Sequence, residues 1–391
     1  MPIARRSTLS AEARRSLVAA LSGRALAAAA RRAGERALVL DLFADEDTRR
    51  CAERCIKLPP AGPGFERRAL LAAVDELAPS VRGLVYGAGF EHDPPLLAAL
   101  AKRVPLLGNA PETVAAVKNP RRLARLLARL GLPHPQIADA PPLSGQMDWL
   151  RKRAGGAGGS HVALVAGTMA APGNYFQRRA PGRPLSALLA ADGRAARVLG
   201  FSEQWAAPAA DAPFRYGGCA GPVTLPPRLA GAIADACSAL TVATGLVGLN
   251  SLDLLVEEER FHILEINPRP GATLDLFDGR AGLSLWRLHL DALRGRLPPA
   301  QTVPGPVRAA AVLYAPSAIA IPRDMIWPRW TADRETRGNR VARDAPVCTV
   351  HAAAASVAAA RAQLDRRSGQ LLARLLADGG KNGIARLAAQ R

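Results

Sequence analysis

The sequence predicts an α/β protein in three parts: a Rossmann-like N-terminal domain over residues 1–112, a mixed α+β middle over 113–295, and a small β-rich C-terminal lobe with a terminal helix over 305–391. Three observations predict it. Apolar strand-like runs alternate with helical runs near the N-terminus, the pattern of a parallel sheet. The segment 248–278, GLNSLDLLVEEERFHILEINPRPGATLDLFD, reads as a hairpin that sets Asp253, Glu265 and Asn267 among Leu, Ile, Val and Phe. A Pro-rich connection at 296–306, RLPPAQTVPGP, separates the tail from what precedes it. A chain of 391 residues is long enough for two or three domains with substantial cores.

In the N-terminal domain an Ala- and Arg-rich helical run at 24–34 leads into the strand ALVLDLF at 37–43. A second strand, Gly83 to Tyr86, ends in the loop GAGFEHDP. Loops at the carboxyl ends of parallel strands line ligand crevices, so Asp41, Phe43, Gly87, Gly89, Phe90 and Glu91 are expected to contact an acceptor substrate. Gly87-x-Gly89 lacks the third glycine and the immediate helix of a dinucleotide fingerprint and is not read as an NAD site.

The middle is organised around scarce lysines. Only five occur against a large excess of Arg. Lys118 stands in VKNPRRLARLLARLGLPHPQI, a helical stretch ending in a Gly-x-Pro turn, and Lys152 precedes AGGAGGS at 154–160. Glycines let backbone amides approach phosphate oxygens, and an ammonium on the preceding strand adds a compact charge. Taken alone the run reads as a linker; ahead of a metal-binding hairpin it reads as a phosphate cradle. Residues 175–200 predict a strand, a turn at Pro181 to Arg183, a strand from Leu185 to Ala190, a turn at Asp192-Gly193 and a third strand. The small-residue-rich stretch 204–222 reads either as a segment covering substrate or as a surface excursion.

Within the hairpin, strands at 251–256 and 261–266 flank the polar turn Glu257 to Arg260. Pairing Val256 with His262 would set Asp253 opposite Glu265 and Ser251 opposite Asn267 on one face, with Leu252, Leu254, Val256, Leu264 and Ile266 on the other. Two carboxylates facing each other repel and lose hydration, so a bare pair would be costly or would hold a proton, and a divalent ion removes that penalty. Glu265 and Asn267 stand roughly 6 to 7 Å apart, a span that a hard, oxygen-ligated ion such as magnesium bridges, one ion or two. Pro268 ends the strand and throws Arg269 out beside the metal, where its fork suits phosphate oxygens. The set suggests nucleoside triphosphate chemistry.

The order Asp253, then Glu265-x-Asn267, then Arg269, with the wording EINPRP, resembles the metal-binding end of the ATP-grasp superfamily of carboxylate-amine ligases. The resemblance implies a Rossmann-like pre-ATP-grasp domain, an ATP-grasp fold of two α+β lobes, and a C-terminal β-rich lobe like that of some carboxylases. It implies that Asp253, Glu265 and Asn267 hold one or two magnesium or manganese ions on ATP, and that Arg269 steadies the transferred phosphoryl group. It places Lys118, Lys152 and Gly155, Gly156, Gly158 and Gly159 on the phosphates, with Lys152 also serving the reaction. It sets Gln177 and the backbone of Arg178, Arg179 and Ala180 at the adenine hinge, although Arg178 stands where many relatives have Glu. The words YGAGFE, LLGN, VKNP and EINPRP together look most like predicted ATP-dependent carboligases, a group associated with one-carbon coenzymes of the methanofuran and methanopterin kind.

The expected reaction is phosphorylation of a carboxylate by ATP, then displacement of phosphate by an amine, with no protein nucleophile. An ATP-dependent carboxylase or carboxyphosphate-forming enzyme is the second reading, and a non-catalytic nucleotide-binding or nucleic-acid-binding protein the third. The formal charge of +19 comes almost wholly from Arg scattered over Ala-rich helices, with little aromatic interleaving. It is read as a general pull on anions, which suits small acidic substrates, and not as a nucleic-acid surface. Five dispersed cysteines make no disulfide framework, and no apolar run approaches the length that crosses a bilayer, so a cytoplasmic protein without a membrane partner is expected. The acid-sparse first 20 residues lack the apolar core of a targeting peptide. Trp327 and Trp330 in the tail are read as packing. The oligomeric state, a homodimer included, is left open.

Overall fold

The structure, a computed structural model, describes residues 15–140, 148–165, 171–299 and 305–388. Most of the acid-sparse N-terminal segment (1–14) and part of the Pro-rich connection (300–304) lie outside the described residues.

The strands Arg15–Ala19, Arg36–Asp41, Arg54–Lys57 and Leu84–Tyr86 form a four-stranded parallel sheet in which Arg15–Ala19 lies between Arg36–Asp41 and Leu84–Tyr86. Both faces are covered, which is why these strands read as near-continuous apolar runs. Val18, Val39 and Val85 pack with Ala27 and Ala30 of the helix Arg24–Arg32. Leu17, Leu38, Leu40 and Leu84 pack on the other side with Leu70 and Val74 of Arg67–Leu77 and Leu97 and Leu100 of Pro94–Ala101.

Two short helices follow, Pro111–Lys118 and Pro120–Arg129. Pro120 cannot continue the first, and the Asn119 side chain accepts from the Arg122 amide to start the second, which leaves Lys118 at an abrupt helix end. A four-stranded antiparallel sheet, in the order Ile137–Ala138, Asn174–Arg178, Trp149–Arg153, Val162–Leu164, carries the glycine run.

The site is built on an eight-stranded antiparallel sheet. Its order is Arg260–Asn267, Val247–Glu257, Arg183–Asp192, Ala196–Ala206, Tyr216–Val223, Val307–Tyr314, Pro346–Ala354, Thr331–Ala332. The helix Pro227–Thr244, ended by Gly245 at φ +68°, packs Leu229, Ile233 and Leu240 on Leu185, Leu189, Leu252 and Leu254. The other face buries Leu188, Leu249 and Cys219 under Leu276, Phe277 and Trp286. The tail strands continue this sheet across the expected boundary, Ala310 pairing with Cys219. Trp327 sits in the tail core, and Arg367 lies 5.3 Å over the Trp330 ring, so both tryptophans pack.

Two expectations change. The stretch 204–222 is mostly a strand pair, with only 207–215 as a loop. Its glycines mark close approach of neighbouring backbone: a Cβ on Gly218 would stand 2.5 Å from the Ala310 carbonyl oxygen. The hairpin carries a bulge between Asp253 and Leu254, so Val256 pairs with Phe261 and not His262. The bulge reverses the alternation, putting Ile263 into the core and Leu264 on the cleft wall.

Candidate nucleotide and metal site

On the bulge's far side the expected pairs are present, Asp253 opposite Glu265 and Ser251 opposite Asn267. Lys118 reaches them from its helix end, its Nζ lying 3.1 Å from Glu265 Oε2 and 3.1 Å from Asn267 Oδ1. The Asn267 amide donates to Asp253 Oδ2 at 2.9 Å, while Ser186 Oγ and Gln204 Nε2 donate to Asp253 Oδ1 at 2.7 and 3.2 Å. Burial and the facing Glu265 push Asp253 above the usual carboxylate range. Burial acts the same way on Glu265, but Lys118 and Lys152 outweigh it and hold that carboxyl low. The result is a charged, partly solvent-facing carboxylate beside a reluctant one.

No group of three His, Cys, Asp or Glu side chains suited to a metal occurs among the described residues. The donor set is two carboxylates and an amide oxygen, hard ligands that suit magnesium better than zinc. The Lys118 ammonium already bridges Glu265 and Asn267 as a cation, so the residues fit a positive ion at this place.

Lys152 lies on Trp149–Arg153 and donates to Gln177 Oε1 at 2.9 Å across the antiparallel pair. Burial pulls its pKa down, opposed by the charge of Glu265. A cleft is lined by Lys118, Glu265, Gly155, Gly156, Tyr175 and Gln177 together with the apolar side chains of Leu123, Leu127, Ile137 and Ile263. Gly155, Gly158 and Gly159 all have φ near +70°, which the flap turns require. Gly158 and Gly159 do not line the cleft: the Gly158 carbonyl accepts from the Tyr216 amide at 2.8 Å, and a Cβ on Gly159 would stand 2.0 Å from the Phe214 carbonyl oxygen. The flap therefore rests on the large sheet.

The hinge residues fare differently. Arg178, Arg179 and Ala180 are not among the cleft-lining residues, and the amides of Arg178 and Arg179 donate to the Gln136 and Asp148 carbonyls at 2.8 and 2.7 Å. Arg269 stands beside Asn267, with its Nη2 3.4 Å from Asn267 Oδ1, but its Nε donates to Glu91 Oε1 at 2.8 Å.

The expected acceptor crevice of the parallel sheet is closed. Asp41 is fully buried and accepts from the Gly23, Phe43 and Ala44 amides. Phe90 packs in the core 5.3 Å from the Phe65 ring. Asp333 of the tail fills the strand ends, accepting from Ser22 Oγ and Arg24 at 3.0 Å each. Of the six expected contacts Phe43 is the most open.

Three contributors escape a reading of the sequence, and a fourth, Asn109, is there only the last letter of LLGN. Ser186 and Gln204 come from strands whose register is not fixed locally, and Asn109 ties the Val247 amide, the Asn250 side chain and the Pro268 carbonyl together at 2.7 to 2.9 Å. His161 lines the cleft with its Nδ1 buried and unpartnered; its place directly after the glycine run was the available signal.

Known proteins place this geometry. The ATP-grasp domain family matches residues 117–273, which span Lys118 to Arg269. No curated protein matches the chain. Among solved structures, biotin carboxylase of Campylobacter jejuni superposes with TM-score 0.70 at 16% identity over 90% of each chain. L-amino acid ligase of Bacillus licheniformis gives 0.66 at 15% over 90% of this chain and 97% of its own. N5-carboxyaminoimidazole synthase of Aspergillus clavatus, in complex with ADP and its ribonucleotide, gives 0.67 at 14% over 93% and 100%. These likenesses establish the fold, and the family match establishes that the chain carries an ATP-grasp domain.

Proposed function

We propose that the protein is an ATP- and magnesium-dependent carboxylate-amine ligase that forms an amide through an acyl phosphate and releases ADP. The observation that carries this reading is the convergence of Lys118, Asp253, Glu265 and Asn267, of which Lys118 and Glu265 line a cleft together with Gly155 and Gly156 of the flap. Facing, partly buried carboxylates countered by an ammonium are a costly arrangement that a polyphosphate and its cation would use.

The apolar lining of the cleft, Leu123, Leu127, Ile137 and Ile263, would take the adenine, with Gln177 and Tyr175 also on its wall. Lys118 and Lys152, both buried, would bind phosphate oxygens, and the flap amides would exclude water from the transferring group. Asp253, Glu265 and Asn267 would hold magnesium, which supplies neutralisation of phosphate charge. A substrate carboxylate attacks the γ-phosphorus, ADP leaves, and an amine then attacks the acyl carbon and expels phosphate, with Arg269 stabilising the charge that develops. The finer reading is that the product belongs to assembly of a glutamate-bearing one-carbon coenzyme, supported by the wording YGAGFE, LLGN, VKNP and EINPRP.

A carboxylase reading is favoured by the tail strands, which extend the large sheet, as well as by likeness in fold to biotin carboxylase. The test is ADP release by the purified chain with magnesium and paired acids and amines, glutamate-bearing ones first. Ligation predicts release that needs both partners; release with bicarbonate and no amine would favour the carboxylase. Glu265→Gln is expected to lower ADP release about a hundredfold, and unchanged release would exclude the assigned site.

A further inference from the structure

Glu91 belongs to the N-terminal domain yet reaches the candidate site through Arg269. It is 4% exposed, and both carboxylate oxygens are engaged. Oε2 accepts from the Gly89 and Phe90 amides at 2.8 and 3.1 Å, which folds the side chain back on a turn that Gly89 makes at φ +119°. Oε1 accepts from Arg269 Nε at 2.8 Å. Burial alone would neutralise Glu91, but Arg269 and Lys118 hold its pKa below the usual carboxylate value. The pair leaves the terminal nitrogens of Arg269 directed along the strand end, Nη2 toward Asn267 Oδ1.

The same residue meets the flap from its other side. A Cβ on Gly155 would stand 2.5 Å from the Glu91 carbonyl oxygen and 2.6 Å from the His92 Cα, so this glycine is seated directly on the Glu91-His92 backbone. The flap's second landing is the hydrogen bond from the Tyr216 amide to the Gly158 carbonyl.

We propose that Glu91 is a positioning residue for phosphoryl and acyl transfer: its carboxylate fixes Arg269 beside Asn267 while its main chain is the seat on which the glycine flap closes. One residue thereby makes arginine placement and flap closure interdependent. The inference rests on the ligase reading for its kinetic consequence, though not for its structural one.

The test uses the full chain. In Glu91→Gln, kcat for ADP release falls about a hundredfold, as a displaced positioning group does, while KM for ATP stays within about threefold because no nucleotide contact is removed. Glu91→Asp, which keeps the charge, recovers part of kcat. Hydrogen exchange in the MgADP complex provides a second measure: the Tyr216 amide exchanges faster in Glu91→Gln than in the parent protein. Gly155→Ala leaves the ion pair in place, so it covers the case in which Glu91→Gln does not fold; it too speeds exchange at Tyr216 and lowers kcat. Unchanged kcat in Glu91→Gln, or parental Tyr216 exchange in both variants, overturns the proposal. If the parent protein releases no ADP with any acid and amine, the ligase reading fails, and the exchange measurement with MgADP still decides whether Glu91 seats the flap.

Discussion

Two buried acidic clusters in this molecule solve the same electrostatic problem in opposite ways. At the hairpin, Asp253 and Glu265 face each other with Lys118 as the nearest cation, and the Glu265 side chain keeps 30% of its surface open. Where the tail meets the N-terminal domain, Arg24 is wedged between Asp275 and Asp333, with Asp47 4.0 Å away. Its guanidinium takes Asp275 with both terminal nitrogens, and Ser22 and Thr349 add hydroxyls to Asp333. Arg24 keeps its proton against burial because Asp275 and Asp333 surround it, whereas Asp45, without such a partner, is pushed up to about 8 by burial and by Asp333 and Asp41. A planar fork saturated on every side makes a clamp between distant stretches of chain, while a point charge beside a half-open carboxylate leaves room for exchange.

The largest expected effect comes from breaking the clamp. Arg24→Met leaves Asp275 and Asp333 buried without a counter-charge and is expected to cost about 3 to 5 kcal/mol in denaturant unfolding. A cost below 1 kcal/mol would mean that the clamp and the hairpin cluster do not differ in kind. At the hairpin the opposite pattern is expected: Asp253→Asn removes a repulsion, so the apoprotein melts no lower than the parent while ADP release falls about a hundredfold.

The two clusters should also respond to pH with opposite sign. Asp333 is held down to about 2, against burial, chiefly by Arg24, so its stabilisation is complete above the unfolded value and is lost as pH falls toward 2, about 2 kcal/mol in all. Asp253 has a raised folded pKa, so its charge destabilises the metal-free protein as pH rises above the ordinary carboxylate value. Asp333→Asn should flatten the acid limb of the stability curve and Asp253→Asn the limb above it; a common effect on one limb would refute the distinction. Gly159→Ala, whose Cβ would overlap the Phe214 carbonyl, should lower kcat for ADP release about tenfold by keeping the flap off the sheet, with KM for ATP little changed. The smallest effect belongs to Arg178→Ala. Its exposed side chain is not among the cleft-lining residues, and KM for ATP should stay within about twofold.

Much of the hairpin was legible because its information is local. Alternation and the Pro268 stop locate the two strands, and a register one residue off at the turn still sets Asp253 opposite Glu265, because the bulge supplies the one-residue shift that this register lacks. The bulge itself was not legible, since one extra residue changes no composition, and it moved Leu264 from core to cleft. The strand end at Arg178 was legible, but the partners of the Arg178 and Arg179 amides are the Gln136 and Asp148 carbonyls, which no spacing rule connects to them. The glycines at 217 and 218 read as loop because their cause, the approach of Ala206 and Ala310, is distant in sequence.

The amino-acid order alone determined the parallel sheet near the N-terminus, the paired oxygen donors of the hairpin and the two conspicuous lysines, because periodicity, strand-ending proline and rare residue types act within a few positions. Only the folded chain decided which charges neutralise one another. Lys118 reaches Glu265 over 147 positions, Arg269 reaches Glu91 over 178 and Arg24 reaches Asp333 over 309. Electrostatic energy depends on separation in space and on burial, and neither is written in the spacing of residues along a chain.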